Sequence, residues 1–434
     1  MADRLPFTFL AYRGLAAGLT PLSGLVLARR LKRGKEHPDR LAERRGVASL
    51  PRPAEPLVWV HGASVGELVA ALPIIERLRA REFAVLVTSG TVTSAELAQK
   101  RLPEGAFHQF VPLDSPFFVA RFLDHWRPDL ALFIESDLWP NLILGAAERR
   151  IPLILLNGRL SQRSFERWRR VPVTIEALLA RFDLCLVRSP EDAARFGALG
   201  APRIRTTGNL KLDVPPLSAD PAMLASLKTA AAGRPIVAAA STHPDEEGAI
   251  VAAHRRLRVD FPRLLTIIVP RHPNRGAEVA GIATAQGLAA VQRSQGALPN
   301  AATEIYVCDT LGELGLIYRL ASVVFMGGSL VPHGGQNPIE PIKLGAAVLH
   351  GPHVANFADL YEALDEAAGS GPVADPDSLA ERLAGLLSNA PARSRLAAAG
   401  RRTIEALAGA VDRSMAAIEP YLMQIRLASW TQHA

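Results

Sequence analysis

From Leu57 onward, short apolar runs rich in β-branched residues alternate with longer stretches of helical periodicity, the pattern that parallel α/β layers impose. In the first half these runs predict strands at 57–61, 84–88, 130–134, 153–156 and 184–187, with helical stretches such as 68–80 between them. The pattern breaks at 213–221, DVPPLSADP, where prolines and small polar residues mark a linker. It then resumes with strands at 236–240, 264–269, 305–308, 323–326 and 347–350, and the chain contains no short-period repeat. As domains, this predicts an N-terminal segment 1–45, a Rossmann-like domain 46–213, a linker 214–221, a second Rossmann-like domain 222–410, and a C-terminal helix 411–434 able to pack back on the first domain. The predicted fold class is α/β, with two doubly wound domains facing a cleft. In such sheets the loops after the strands carry the chemistry.

The segment before this pattern differs in kind. Residues 5–28 carry one charge, Arg13, and run directly into Arg29, Arg30, Lys32, Arg33 and Lys35. A secretory signal places its charge before the apolar run; here the heavier charge follows it, so cleavage is not expected. Beyond Arg13 the apolar run is 15 residues, short of the roughly 20 needed to span, and Pro21 with three glycines lowers its helicity. Three placements stay open: a single span with Arg13 tolerated near an interface, a helix lying among headgroups, and a core helix of the first domain.

Composition narrows the choice of partner. Hydrophobic residues are 49% and charged residues 21% of the chain, which excludes general disorder and a polytopic membrane protein. The net charge of +7 suggests nucleic acid until it is located. Ten Lys or Arg against four acids fall within the first fifty residues, leaving the body almost neutral, so no nucleic-acid partner is expected. Cys185 and Cys308 lie far apart in apolar runs and read as buried strand residues.

The post-strand loops hold the candidate chemistry. The first strand leads into HGASVGE, where Gly62 and Gly66 allow a tight turn and Glu67 opens the next helix. The G-x-x-x-G spacing, with no acid after the second strand, disfavours a nicotinamide cofactor. Glu67 fits either a first-turn carboxylate facing the helix dipole or a general base. ESDLWPN, 135–141, puts two carboxylates at a strand exit, and GNLKLD places Lys211 just before the linker. In the second half, PRHPNR clusters Arg271, His272 and Arg275 at a strand exit, suited to phosphate. Gly312 in DTLGEL, and Gly327, Gly328 and Ser329 ahead of PHGGQNPIEP, bring glycine loops to helix starts, natural anion sites. Asn337, Pro338 and Glu340 also fit plain helix capping, although the glycines upstream favour a ribose on Glu340. No His or Cys spacing resembles a metal site, and neither metal nor cofactor is expected.

In order, HGASVGE, ESDLWPN, LNGRLS (156–161), GNLKLD, PRHP, the D-T-x-G-E-L run from Asp309, and MGGS followed by GGQNPIEP resemble the 3-deoxy-D-manno-octulosonic acid (Kdo) transferases over nearly the whole chain. The resemblance implies a GT-B glycosyltransferase of lipopolysaccharide synthesis on the cytoplasmic side of the inner membrane. It implies an N-terminal anchor among the inner-membrane lipids, and transfer of Kdo from CMP-Kdo to the lipid A precursor without a catalytic metal. It further implies Glu67 as the base, Asp137 and Lys211 as stabilisers of the transition state, and CMP contacts from Pro270, Arg271, Leu311, Gly312, Glu313, Asn337, Pro338, Ile339 and Glu340. Ser64, Gly66, His272, Gly327, Gly328 and Ser329 are expected nearby. The family commonly has Glu where this chain has Asp137. The alternatives are a GT-B transferase using a UDP-sugar, and a non-catalytic nucleotide- or lipid-binding protein on this fold.

Overall fold

The computed structural model describes residues 5–433. The chain divides into two compact units: the first runs up to Val214 and takes back the segment from Ala408 onward, and the second is Pro215–Leu407. In the first unit β1 (Leu57–His61), β2 (Ala84–Ser89), β3 (Ala106–Phe110), β4 (Leu130–Ile134), β5 (Leu153–Gly158), β6 (Leu184–Val187) and β7 (Ile204–Thr206) form one parallel sheet in the order β3-β2-β1-β4-β5-β6-β7. Both faces are covered, which is why the inner strands read as unbroken apolar runs. Leu57, Trp59, Phe133 and Leu155 pack on one side with Trp126, Phe182 and Phe196. Val58, Val60, Leu132 and Ile154 pack on the other against the helix Val65–Arg79 and the C-terminal helix Ala410–His433, through Leu68, Ile75, Val411, Met415 and Ile418.

The second unit repeats the plan with β8 (Ile236–Thr242), β9 (Leu265–Pro270), β10 (Ala290–Gln292), β11 (Ile305–Val307), β12 (Val323–Met326), β13 (Ala347–His350) and β14 (Gly371–Pro372), all parallel, in the order β10-β11-β9-β8-β12-β13-β14. In the first sheet the connections run outward in both directions from β1 with β4; in the second the reversal pair is β8 with β12, and on the β9 side the chain reaches the edge strand β10 before returning to β11. Ligands of such sheets bind at the strand exits of that reversal point.

Four strands escape the sequence pattern: β3, β7, β10 and β14. They are the four sheet edges, and each is short or partly exposed, so none needs a continuous apolar run. The helix expected at 68–80 starts earlier, at Val65, because Ser64 caps it.

The N-terminal segment forms the helices Phe7–Leu19 and Ser23–Lys32, joined by a 3-10 turn that holds Pro21. Together they are long and apolar enough to cross a membrane. They are not a core element. Only Phe9 and Leu27 are buried, whereas Phe7, Leu10, Leu15, Leu19, Leu22, Leu25 and Val26 are exposed. Polar contacts tie the segment to the first unit: the Tyr12 hydroxyl donates to Asp114 Oδ2 at 2.8 Å, Thr20 Oγ1 lies 2.6 Å from Ser115 Oγ, and Arg13 pairs with Glu148.

Candidate active site

In the first unit, the loops after β1 and β4 bring three carboxylates and one ammonium group together. After β1, Ser64 caps the helix Val65–Arg79 by accepting from Glu67 N–H at 3.4 Å. Its hydroxyl donates to Glu67 Oε1 at 2.8 Å, and Ala63 N–H donates to Oε2 at 2.7 Å. Both carboxylate oxygens are therefore held, with Glu67 in the first turn of the helix that Ser64 caps. Burial raises the Glu67 pKa above its ordinary value. The hydrogen bonds from Ser64 and Ala63 oppose the rise, and the nearby Glu135 and Asp137 add to it. Gly62 is needed for this packing, since a Cβ there would sit 3.1 Å from Glu67 Cβ. Gly66 does not make the turn expected of it. It lies in the first helical turn, exposed, and a Cβ there meets nothing within 4 Å.

After β4 the backbone takes a left-handed residue, Glu135, at φ +61°. Such strain in a non-glycine residue persists only where its surroundings enforce it. Here the Glu135 N–H donates to Leu156 O at 2.8 Å, and Lys211 Nζ donates to Glu135 Oε1 at 2.6 Å. Asn157, at the end of β5 and also left-handed at φ +55°, accepts from Leu210 N–H at 3.0 Å and so seats the 3-10 turn Leu210–Leu212 that carries Lys211. Asp137 accepts from Trp139 Nε1 at 2.7 Å and lies 3.3 Å from His61 Nε2. Burial alone would raise the Asp137 pKa, but the adjacent His61 ring and the hydrogen bond from Trp139 outweigh it and hold the group below its ordinary value. Glu67, Asp137 and Lys211, from scattered motifs, thus lie around Glu135 in one cluster. Glu135, Asn157 and His61 gain partners that no sequence spacing pointed to. The available signal was that Trp59 and His61 alternate onto one face of β1.

In the second unit the expected residues separate into two groups. Arg271 is exposed and makes no hydrogen bond through its guanidinium among the described residues, while its charge acts on Glu340. Burial raises the Glu340 pKa, against a hydrogen bond from Asn337 and the charge of Arg271. Asn337 Oδ1 also accepts from Ile339 N–H at 3.1 Å, while Pro338 takes the N-cap position and makes no side-chain cap. Pro270 ends β9, and His272 follows beside His243, whose ring lies 3.7 Å from that of His333. Gly312, at φ +84°, places Leu311 in solvent at 78% exposure.

Other expected ligands already have partners. Arg275 is bound to Glu247 Oε1 at 2.6 Å and to Glu278, so it is not open to phosphate. The Glu313 carboxylate takes both Nε and Nη2 of Arg293, at 3.0 and 2.8 Å. Most telling is Glu246, fully buried at the reversal point. Its carboxylate accepts from the amides of His243, Gly328, Ser329 and Leu330 at 3.1, 2.6, 2.9 and 2.9 Å. The chain's own carboxylate fills the glycine loop read as an anion site, which corrects that reading for the Gly328 and Ser329 amides. Gly327 is needed for contact with β8, where a Cβ would lie 2.5 Å from Ser241 O. No group of three His, Cys, Asp or Glu is placed to hold a metal ion among the described residues.

Comparison with known proteins bears on family and fold. The family model described as 3-Deoxy-D-manno-octulosonic-acid transferase (kdotransferase) matches residues 39–214. A 3-deoxy-D-manno-octulosonic acid transferase of Haemophilus influenzae is 35% identical over 393 residues, 88% of this chain and 92% of the relative. One of Bordetella pertussis is 34% identical over 427 residues, 95% of this chain and 98% of the relative. Among solved structures, a glycosyltransferase from Rickettsia africae superposes with TM-score 0.59 at 11% identity, over 86% of this chain and 99% of that one. The UDP-GlcNAc 2-epimerase of Neisseria meningitidis superposes with TM-score 0.56 at 12% identity, over 85% and 100%. The structures share the fold, two Rossmann-like units as in GT-B glycosyltransferases; on the family model and the sequence relatives, the chain belongs to the 3-deoxy-D-manno-octulosonic acid transferases, a family of glycosyltransferases.

Proposed function

We propose that this enzyme transfers Kdo from CMP-Kdo to a hydroxyl of the lipid A precursor, lipid IVA, at the cytoplasmic face of the inner membrane. The observation that carries the reading is Glu67. Its carboxylate is fixed by Ala63 N–H and the Ser64 hydroxyl at the reversal point of the first sheet, with a raised pKa. A base needs a defined position and a proton affinity nearer neutrality than an ordinary carboxylate has, and Glu67 has both. Removing the acceptor proton as the hydroxyl attacks the anomeric carbon, while CMP departs from the other face, gives inversion in one displacement. Lys211, steadied by Glu135, and Asp137 shape the charge around that event.

The second unit supplies the nucleotide contacts. Arg271 stands free for the phosphate, Asn337 and Glu340 suit the ribose, and the backbone at Gly312 leaves room for close approach. The N-terminal helices, apolar outside and basic at their end, match a lipid acceptor. The test is Kdo transfer from CMP-Kdo, generated in situ, to tetra-acylated lipid A precursor in detergent with EDTA. Wild type should give product and Glu67→Ala none, and the product mass counts the sugars. Product from Glu67→Ala would remove the base. An inactive wild type beside sound donor controls would point to a UDP-sugar.

A further inference from the structure

We infer that His61 is a positioning residue for Asp137, the last link of a buried hydrogen-bond chain, Trp59–Thr88–His61, that fixes one carboxylate oxygen and leaves the other to act. The inference rests on the working role given to Asp137 above. Trp59 Nε1 can only donate, and it donates to Thr88 Oγ1 at 2.8 Å. Thr88 Oγ1 lies 2.8 Å from His61 Nδ1 as well. With one Thr88 lone pair taken by Trp59, the inferred arrangement gives the hydroxyl proton to Nδ1, which is then the bare nitrogen. In that tautomer the ring proton stands on Nε2, 3.3 Å from Asp137 Oδ2.

Nothing else competes for that proton. His61 is fully buried, its Nε2 makes no hydrogen bond among the described residues and has Asp137 Oδ2 3.3 Å away, and the ring is walled by Phe133 at 5.3 Å and Trp59 at 6.2 Å. Asp114 is an electrostatic neighbour of His61, but its oxygens are already engaged by Tyr12 and the amides of Asn141 and Leu142. Asp137 Oδ2 thus accepts from Trp139 and lies beside His61 Nε2, which in the inferred tautomer carries the second N–H, while Oδ1 accepts no hydrogen bond among the described residues. Two donors on one oxygen fix the plane and direction of a short side chain whose arm is one methylene less than the resemblance leads one to expect. A donor that orients a working group supports turnover rather than binding, and loss of such support commonly costs about 10- to 100-fold.

The experiment compares Kdo-transfer kinetics of wild type, His61→Leu, His61→Gln, Thr88→Val, Asp137→Ala and the double variant His61→Leu/Asp137→Ala, with thermal unfolding of each. His61→Leu should lower kcat by about 10- to 100-fold with KM within about twofold, and His61→Gln, which keeps an N–H, should restore much of it. On the Asp137→Ala background, His61→Leu should add less than about twofold. If His61→Leu does not fold, Thr88→Val, which keeps the volume and removes the hydroxyl, takes its place. Independently of turnover, 15N spectra of labelled histidines should show His61 protonated at Nε2, with its signal shifted in Asp137→Ala. An Nδ1–H tautomer, multiplicative effects in the double variant, or wild-type kcat in His61→Leu would overturn the inference. If Asp137→Ala alone keeps full kcat, the role given to Asp137 fails and this inference falls with it; if Asp137→Ala is crippled and His61→Leu is not, the inference alone falls.

Discussion

Glu67 carries opposing demands on one proton. Burial favours the neutral acid, while the Ala63 amide and Ser64 hydroxyl favour the anion, and burial prevails. A base must be ionised to work, so the acid limb of the kcat/KM profile should lie above the ordinary glutamate value of about 4.3, and an acid limb at or below that value would contradict the assignment. The same shift bears on folding. A carboxylate whose folded pKa is raised contributes stability that is fully present below its unfolded pKa and lost as pH rises through the folded one. At neutral pH the charge is therefore a cost, and Glu67→Gln should abolish transfer while unfolding at the same temperature or higher; a clear fall in Tm at pH 7.5 would show that the anion stabilises the fold. At this scale the sequence revealed types and order. HGASVGE announced Glu67, but no spacing could show that His61 points its Nε2 at Asp137, seventy-six positions on, because that contact depends on β1 pairing with β4.

Among strand exits, the second unit shows why a motif does not name its ligand. Arg271 and Arg275 sit four residues apart in one loop and read alike in sequence. In the structure Arg271 is open, whereas Arg275 neutralises the fully buried Glu247. Arg271→Ala should therefore raise KM for the donor severalfold with little change in Tm. Arg275→Ala should cost about 3–5 kcal/mol by leaving a buried carboxylate without its partner. Urea unfolding and donor titration distinguish the two, and equal effects on stability would refute the division. The glycine loop teaches the same lesson, since Glu246 occupies amides that a phosphate would otherwise use. Inner strands were legible because burial on both faces demands apolar runs. The edge strands β3, β7, β10 and β14 were not, because pairing on one side asks for so little.

For the molecule as a whole, the uneven charge is the feature most readily read from sequence, and it bears on where the enzyme works. The exposed apolar residues of Phe7–Leu19 and Ser23–Lys32 lead into Arg29, Arg30 and Lys32 in the last turn. Binding to anionic vesicles should weaken with salt, and Arg29→Gln with Arg30→Gln should lower affinity roughly 30-fold, at about 1 kcal/mol per charge. Salt-insensitive binding unchanged by those substitutions would leave only the apolar surface as the tie. The return of the chain at Ala408 has a consequence of another kind. Asp213 accepts from the amides of Gly409 and Val411, at 2.7 and 2.5 Å, so the two points where the chain leaves and re-enters the first unit lie side by side. The second unit is an insertion, hung from adjacent stems. During synthesis the first sheet emerges early, yet the face carrying Val58, Val60 and Ile75 lacks Val411, Met415 and Ile418 until the whole insertion has been made. The half that begins first is completed last, so an interrupted chain yields a finished second unit attached to a first unit with one side of its core still open to water.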